Sequence, residues 1–169
     1  WDPPINDYSV TAYIESIDDD GAGNLTLTIF MQNDQPVYGF NFTITSTIGD
    51  IQINSAYGGV SDALGFIVVP VGYNTVIGAL PDGVESPIPP SDGNVLVYLD
   101  ATYDISNNGS IATLGQSVES VGFYGSNEQG LLLHRWHPII WQIGIGMLSN
   151  PECSCDEGEN YYTCPFDCD

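Results

Sequence analysis

The chain has 169 residues, 43% of them hydrophobic, which suits one domain with a packed core and excludes a disordered segment. It carries 22 acidic residues against one basic residue, Arg135, for a formal net charge of -21, so nucleic acid and anionic membranes would repel it. The longest apolar runs, such as residues 67–71, fall far short of the roughly 20 residues of a membrane span.

The chain opens on Trp1 rather than Met and carries no basic leader, which reads as a mature secreted protein. Residues 1–7 (Trp-Asp-Pro-Pro-Ile-Asn-Asp) read as a proline-stiffened arm that cannot enter a sheet interior. Residues 8–17 alternate loosely and stop at Asp18-Asp19-Asp20-Gly21, a strong turn signal. Residues 24–30 alternate cleanly, with Leu25, Leu27 and Ile29 on one face and Asn24, Thr26 and Thr28 on the other. Residues 37–45 repeat the pattern, with Phe40, Phe42 and Ile44 inward. Further strands are expected at 51–57, 66–69, 75–80, 95–103, 117–124 and 131–136. Residues 81–92 form a proline-rich loop expected on the surface or an edge. No helix of ten residues is foreseen, so the expected class is all-β, a sandwich rather than an α/β fold. Near the end, Trp141, Ile143, Ile145 and Met147 alternate with Gln142, Gly144 and Gly146. That segment is either the last core strand or a strand lent to a neighbouring subunit.

All four cysteines, Cys153, Cys155, Cys164 and Cys168, lie in the last 17 residues. In a secreted chain they read as two disulfides, with a four-thiolate zinc site as the rival. Calcium is the one cofactor the carboxylates suggest. Asp18 and Asp20 offer oxygens on a turn, and Asp156, Glu159 and Asp167 offer a second cluster in the tail. Neither has the EF-hand spacing, and a plain solvated acidic turn accounts for each equally well. The charge itself fits a calcium-rich medium, high salt or a strongly acidic one. Asn24, Asn41 and Asn108 begin Asn-x-Ser/Thr sequons, and Asn108 sits in the most open turn.

Catalysis has little support. The two histidines, His134 and His137, fall on opposite faces of a strand, which suits neither a shared metal nor a triad. Arg135 between them either pairs with a carboxylate of its own chain or meets an acidic patch on a neighbour.

The run Asn33-Asp34-Gln35-Pro36-Val37-Tyr38-Gly39-Phe40-Asn41-Phe42 resembles the start of cohesin-like domains of extracellular proteins. Ser55-Ala56-Tyr57-Gly58-Gly59, then Gly65-Phe66, then Asn74-Thr75-Val76-Ile77-Gly78, then residues 87–96 continue the resemblance in order across 24–103. It implies a jelly-roll-like β-sandwich that is not an enzyme and that binds partner proteins or builds extracellular assemblies. The tail resembles the Cys-x-x-Gly-Glu…Cys-Pro-x-Asp-Cys units of secreted modular proteins, with Tyr161 where a further Cys often sits. The expected organisation is an arm at 1–7, a cohesin-like sandwich at 8–148 and a Cys-rich acidic tail at 149–169.

Two functions follow as expectations. The first is an extracellular structural subunit that assembles with copies of itself into a filament, sheath or surface layer through Trp1, Ile5, Arg135, Trp141, Ile143, Ile145 and Met147. The second is a monomeric cohesin-like module binding a protein or glycan, marked by an exposed apolar or aromatic patch on one sheet face.

Overall fold

The computed structural model describes residues 10–116, 122–126, 130–131, 133–134 and 139–148. In chain order the strands are β1 (Val10–Asp19), β2 (Asn24–Asn33), β3 (Gly39–Ser46) and β4 (Ile51–Tyr57), followed by a short helix α1 (Gly59–Ala63). Then come β5 (Ile67–Val71), β6 (Thr75–Ala79), β7 (Ser91–Tyr103), β8 (Ile111–Gln116), β9 (Gly122–Tyr124), β10 (Leu133–His134), β11 (Ile139–Gln142) and β12 (Gly146–Met147). They form two sheets, ordered β10-β1-β2-β7-β4 and β12-β11-β8-β3-β6-β5, with β9 also pairing with β3. Pairing among the described residues is antiparallel except between β1 and β10. This is the expected β-sandwich.

Period-2 alternation builds both layers. Leu25, Leu27, Ile29 and Met31 of β2 face inward, as do Phe40, Phe42 and Ile44 of β3. Each such side chain withdrawn from water contributes about 1.5–3 kcal/mol. Phe40 is the hub of an aromatic cluster, with its centroid 6.0 Å from Phe42 and 6.1 Å from both Phe66 and Phe123. Gly78 stands opposite Phe40 in the ladder, and a Cβ there would lie 2.2 Å from the Phe40 ring. The missing side chain is what lets the ring lie against β6.

Three expectations need correction. Residues 141–147 are not one strand, because Gly144 takes φ +83° and the chain turns through 143–145 into a hairpin. Trp141 and Ile143 are buried in their own core, so neither is free to be lent out, while Ile145 stands at the tip 67% exposed. The strand at Ile111–Gln116 was not foreseen; apolar residues fall on both of its parities, with Ile111 exposed and Ala112 and Leu114 buried, so no single face stands out. The proline-rich loop does not stay wholly on the surface. Ile88 is fully buried and pairs with Val37, held by the Asn33 side-chain amide donating to the carbonyls of Gln35 and Pro89.

One carboxylate ties the layers together. Asp19, at the end of β1, accepts from the Tyr103 hydroxyl (2.6 Å), Trp141 Nε1 (2.9 Å), the Gly144 N–H (2.7 Å) and the Gly21 N–H (2.9 Å). Each oxygen takes two donors. Burial first, and then this bond to Asp19, push the Tyr103 hydroxyl up to about 12. Asp19→Ala is expected to cost about 3 kcal/mol in urea unfolding, because it strands the indole N–H as well as the hydroxyl. The exposed Asp18→Ala should stay within about 0.5 kcal/mol, and equal losses for the two variants would refute the role given to Asp19.

Two neighbouring turns rest on carboxylates held below the ordinary aspartate value of 3.8. Asp20 accepts from the Asn24 side-chain amide and from the Ala22 and Asn24 N–H groups; Asp104 accepts from the Ser106 N–H. A depressed carboxyl supports the fold fully above its ordinary value and loses that support as pH falls through its lower folded value. The amide signals of Ala22, Asn24 and Ser106 should therefore be unchanged from neutrality to about pH 5 and shift together only in stronger acid. Movement of these signals already at about pH 5 would contradict the assignment.

Candidate binding face

The outward face of β5, β6 and β3 is the most unusual surface among the described residues. Cross-strand register sets its side chains in rows. One row runs Ile67, Ala79, Gly39, Tyr124; the next runs Val69, Ile77, Asn41, Gly122; the third runs Val71, Thr75, Thr43. Ile67 is 57% exposed, Val69 44%, Val71 45% and Ile77 39%, with Tyr73 beside them in the β5–β6 turn. Scattered surface aliphatics are ordinary, but here adjacent ones form a contiguous apolar patch on a single sheet face. Both parities of β5 are apolar, so the strand covers the core with Val68 while presenting Ile67, Val69 and Val71 to water.

At one end this face deepens into a groove of about 690 Å³. Gly39, Asn41, Ile77 and Ala79 contribute its floor, and Tyr38, Tyr124 and the 81–84 loop close it. The Tyr124 hydroxyl accepts from Asn41 Nδ2 at 3.0 Å, which fixes that ring across the outer surface.

The opposite sheet presents a different face. Tyr57 and Tyr98 stack at 5.8 Å, and the Tyr13 and Phe30 rings meet at a tilt of 46°, 5.2 Å apart. Asp100 beside them accepts from the Tyr57, Thr26 and Ser55 hydroxyls. Burial first, then the bond to Asp100, raises the Tyr57 hydroxyl above its ordinary value. The polar groups here already bond to one another, whereas the aliphatic side chains of β5 and β6 stand open to water, with nothing among the described residues over them.

The residues singled out from the sequence are placed as follows. Among the described residues, no group of three His, Cys, Asp or Glu side chains converges as a metal site. Asp18 is exposed, and both Asp20 oxygens serve Asn24 and Ala22. Asn24 is exposed but its amide donates to Asp20. Asn41 lies half-buried in the groove floor, and the exposed Asn108 donates to the Gly21 carbonyl. Met147 pairs with Trp141 across the last hairpin and packs against the core. Trp1, Ile5, Arg135, Cys153, Cys155, Asp156, Glu159, Cys164, Asp167 and Cys168 lie outside the described residues. The sequence reading missed Ile67, Val69, Val71 and Ile77 as site residues. The available signal was β-branched bulk at both parities of 67–71, more than one core-facing side needs.

No family model matches the sequence, and no curated protein does. Solved structures do match. The third cohesin of ScaC from Acetivibrio cellulolyticus, determined in complex with the ScaB dockerin, superposes with a TM-score of 0.62 at 13% identity, covering 79% of this chain and 98% of that one. The seventh ScaB type I cohesin from Pseudobacteroides cellulosolvens gives 0.58 at 12% identity, covering 80% and 92%. A non-cellulosomal cohesin from the hyperthermophilic archaeon Archaeoglobus fulgidus gives 0.55 at 12% identity, covering 80% and 91%. Together with the sheet order and the order of motifs along the strands, these likenesses establish that the chain carries the cohesin β-sandwich fold.

Proposed function

We propose that this chain is a non-catalytic module, acting outside the cell or on its surface, that binds a partner protein on the outward face of β5, β6 and β3. The observation that carries the reading is the block of Ile67, Val69, Val71 and Ile77, contiguous and open to water on one sheet. Covering such a patch supplies the hydrophobic core of an interface, and the hydroxyl and amide groups of Thr43, Thr75 and Asn41 supply a polar border. Several structures with the same fold were determined as cohesin–dockerin complexes, which favours a dockerin as the partner class. Charge narrows it further: against a net charge of -21, a partner surface must be neutral or basic.

This is the second of the two functions expected from the sequence. Assembly into a filament loses the support of the 141–147 segment, because Trp141 and Ile143 are used within the same core. A monomer in the absence of partner is therefore expected from light scattering.

Calorimetry against a panel of dockerin domains, the ScaB dockerin of Acetivibrio cellulolyticus among them, tests the proposal. Binding to at least one member is expected, weakened about 100-fold by Val69→Asp or Ile77→Asp, since either variant desolvates an unpaired charge at the interface centre. Tyr57→Ala on the opposite sheet should leave the affinity unchanged. Binding to none, binding indifferent to both aspartates, or ordered filaments of the chain alone would overturn it.

A further inference from the structure

The groove at the end of the face has a chemistry of its own. Gly39, Ala79 and the backbone around Gly78 form the floor beside Asn41 and Ile77, and the small residues among them leave room for an inserted group. Tyr38 and Tyr124 line it, and the loop at 81–84 brings Asp82, exposed, to its edge. A volume of about 690 Å³ exceeds what a single ion needs and suits a long side chain with part of the segment that carries it. A bare divalent cation wants several oxygen ligands, and one carboxylate among apolar and aromatic groups does not provide them. A guanidinium or ammonium on a long apolar stem wants this combination: tyrosine rings for the stem and the flat charged head, and a single carboxylate at the mouth.

We infer that the groove lined by Tyr38, Tyr124 and Asp82 receives an arginine or lysine side chain of the partner protein, anchoring it at the end of the β5–β6–β3 face. The inference rests on the binding-face reading and adds the chemistry of one contact to it. Two independent features point the same way. The groove is continuous with the aliphatic patch through the rows Ile67–Ala79–Gly39 and Val69–Ile77–Asn41. And the chain carries 22 acids against one basic residue, so a cation inserted here meets attraction from the whole surface as well as from Asp82.

The test uses the full chain and needs no identified partner. N-acetyl-arginine amide is titrated into isotope-labelled protein and followed by amide resonances. The salt concentration is about 0.15 M, where the Debye length is about 8 Å and diffuse attraction is damped. N-acetyl-citrulline amide, with the same shape and no charge, serves as the control. Saturable shifts confined to Gly39, Asn41, Ala79, Gly83 and Tyr124 are expected with arginine and not with citrulline. Asp82→Asn should raise the apparent Kd about twofold to fivefold, as for an exposed ion pair. Ala79→Trp, at an exposed position, should fill the groove and abolish the shifts while leaving the core resonances in place.

No shift in the groove, equal shifts with citrulline, or shifts spread over remote acidic residues such as Asp62, Asp92 and Asp104 would overturn the inference and leave the binding face standing. Conversely, groove-confined arginine shifts in a chain whose partner binding ignores Val69→Asp and Ile77→Asp would uphold the groove and overturn the face.

Discussion

The carboxylate of Asp19 organises the open end of the sandwich. β1 and the β11–β12 hairpin belong to different sheets, and no backbone ladder among the described residues joins them. Asp19 does so by accepting the Trp141 indole N–H and the Gly144 N–H on one oxygen and the Tyr103 hydroxyl on the other. A buried indole needs an acceptor, and a partly buried carboxylate needs donors, so each group makes the other tolerable. Tyr103 and Trp141 meet edge to face at 5.3 Å over this bond. Seating Trp141 there is what commits β11 to its own sheet.

With that end closed, the two sheets keep different outer faces. The β1–β2–β7–β4 layer carries Tyr57, Tyr98, Thr26 and Ser55 around Asp100, and their hydroxyls are satisfied within the chain. The β5–β6 ribbon carries aliphatic side chains that no part of the described chain covers. Its inner side is anchored by Phe40 lying against Gly78, so the ribbon is held flat on the core while its outer side stays open. A face backed by a deep aromatic cluster has little ordering left to do, which would lower the entropic cost of the proposed association.

The charge shapes this further. So acidic a chain repels copies of itself, which opposes non-specific association through an exposed apolar patch and favours a partner of opposite sign. Several of the acids also have local structural tasks. Asp20 and Asp104 hold turns, and Asp19 holds the sheets together. Within the acidic run at 18–20, Asp19 is therefore the clasp and Asp20 the turn holder, while Asp18 stays exposed.

Alternation by itself determined most of the architecture. Leu25, Leu27 and Ile29, and Phe40, Phe42 and Ile44, were assigned to the core from period alone, because in a half-buried strand only one parity is apolar. The strand at 51–57 and the motif order from Asn33 to Gly78 led to the same sandwich. Local signals failed where both parities or neither carried bulk. In Ile111–Gln116 apolar residues lie on both parities, Ile111 outward and Ala112 and Leu114 inward, and in 141–147 a glycine turn imitated alternation. At Ile67–Val71 both faces are apolar, so nothing local says which side meets water. Only the pairing of β5 at the sheet edge, with Val68 turned to the core, put Ile67, Val69 and Val71 outside beside Ile77. The groove likewise depends on Tyr124, Gly39 and Ala79 sharing one row, a neighbourhood made by strands far apart in the chain. A binding surface is a property of which strands lie side by side, and that is decided by the closing of the whole core rather than by any segment within it.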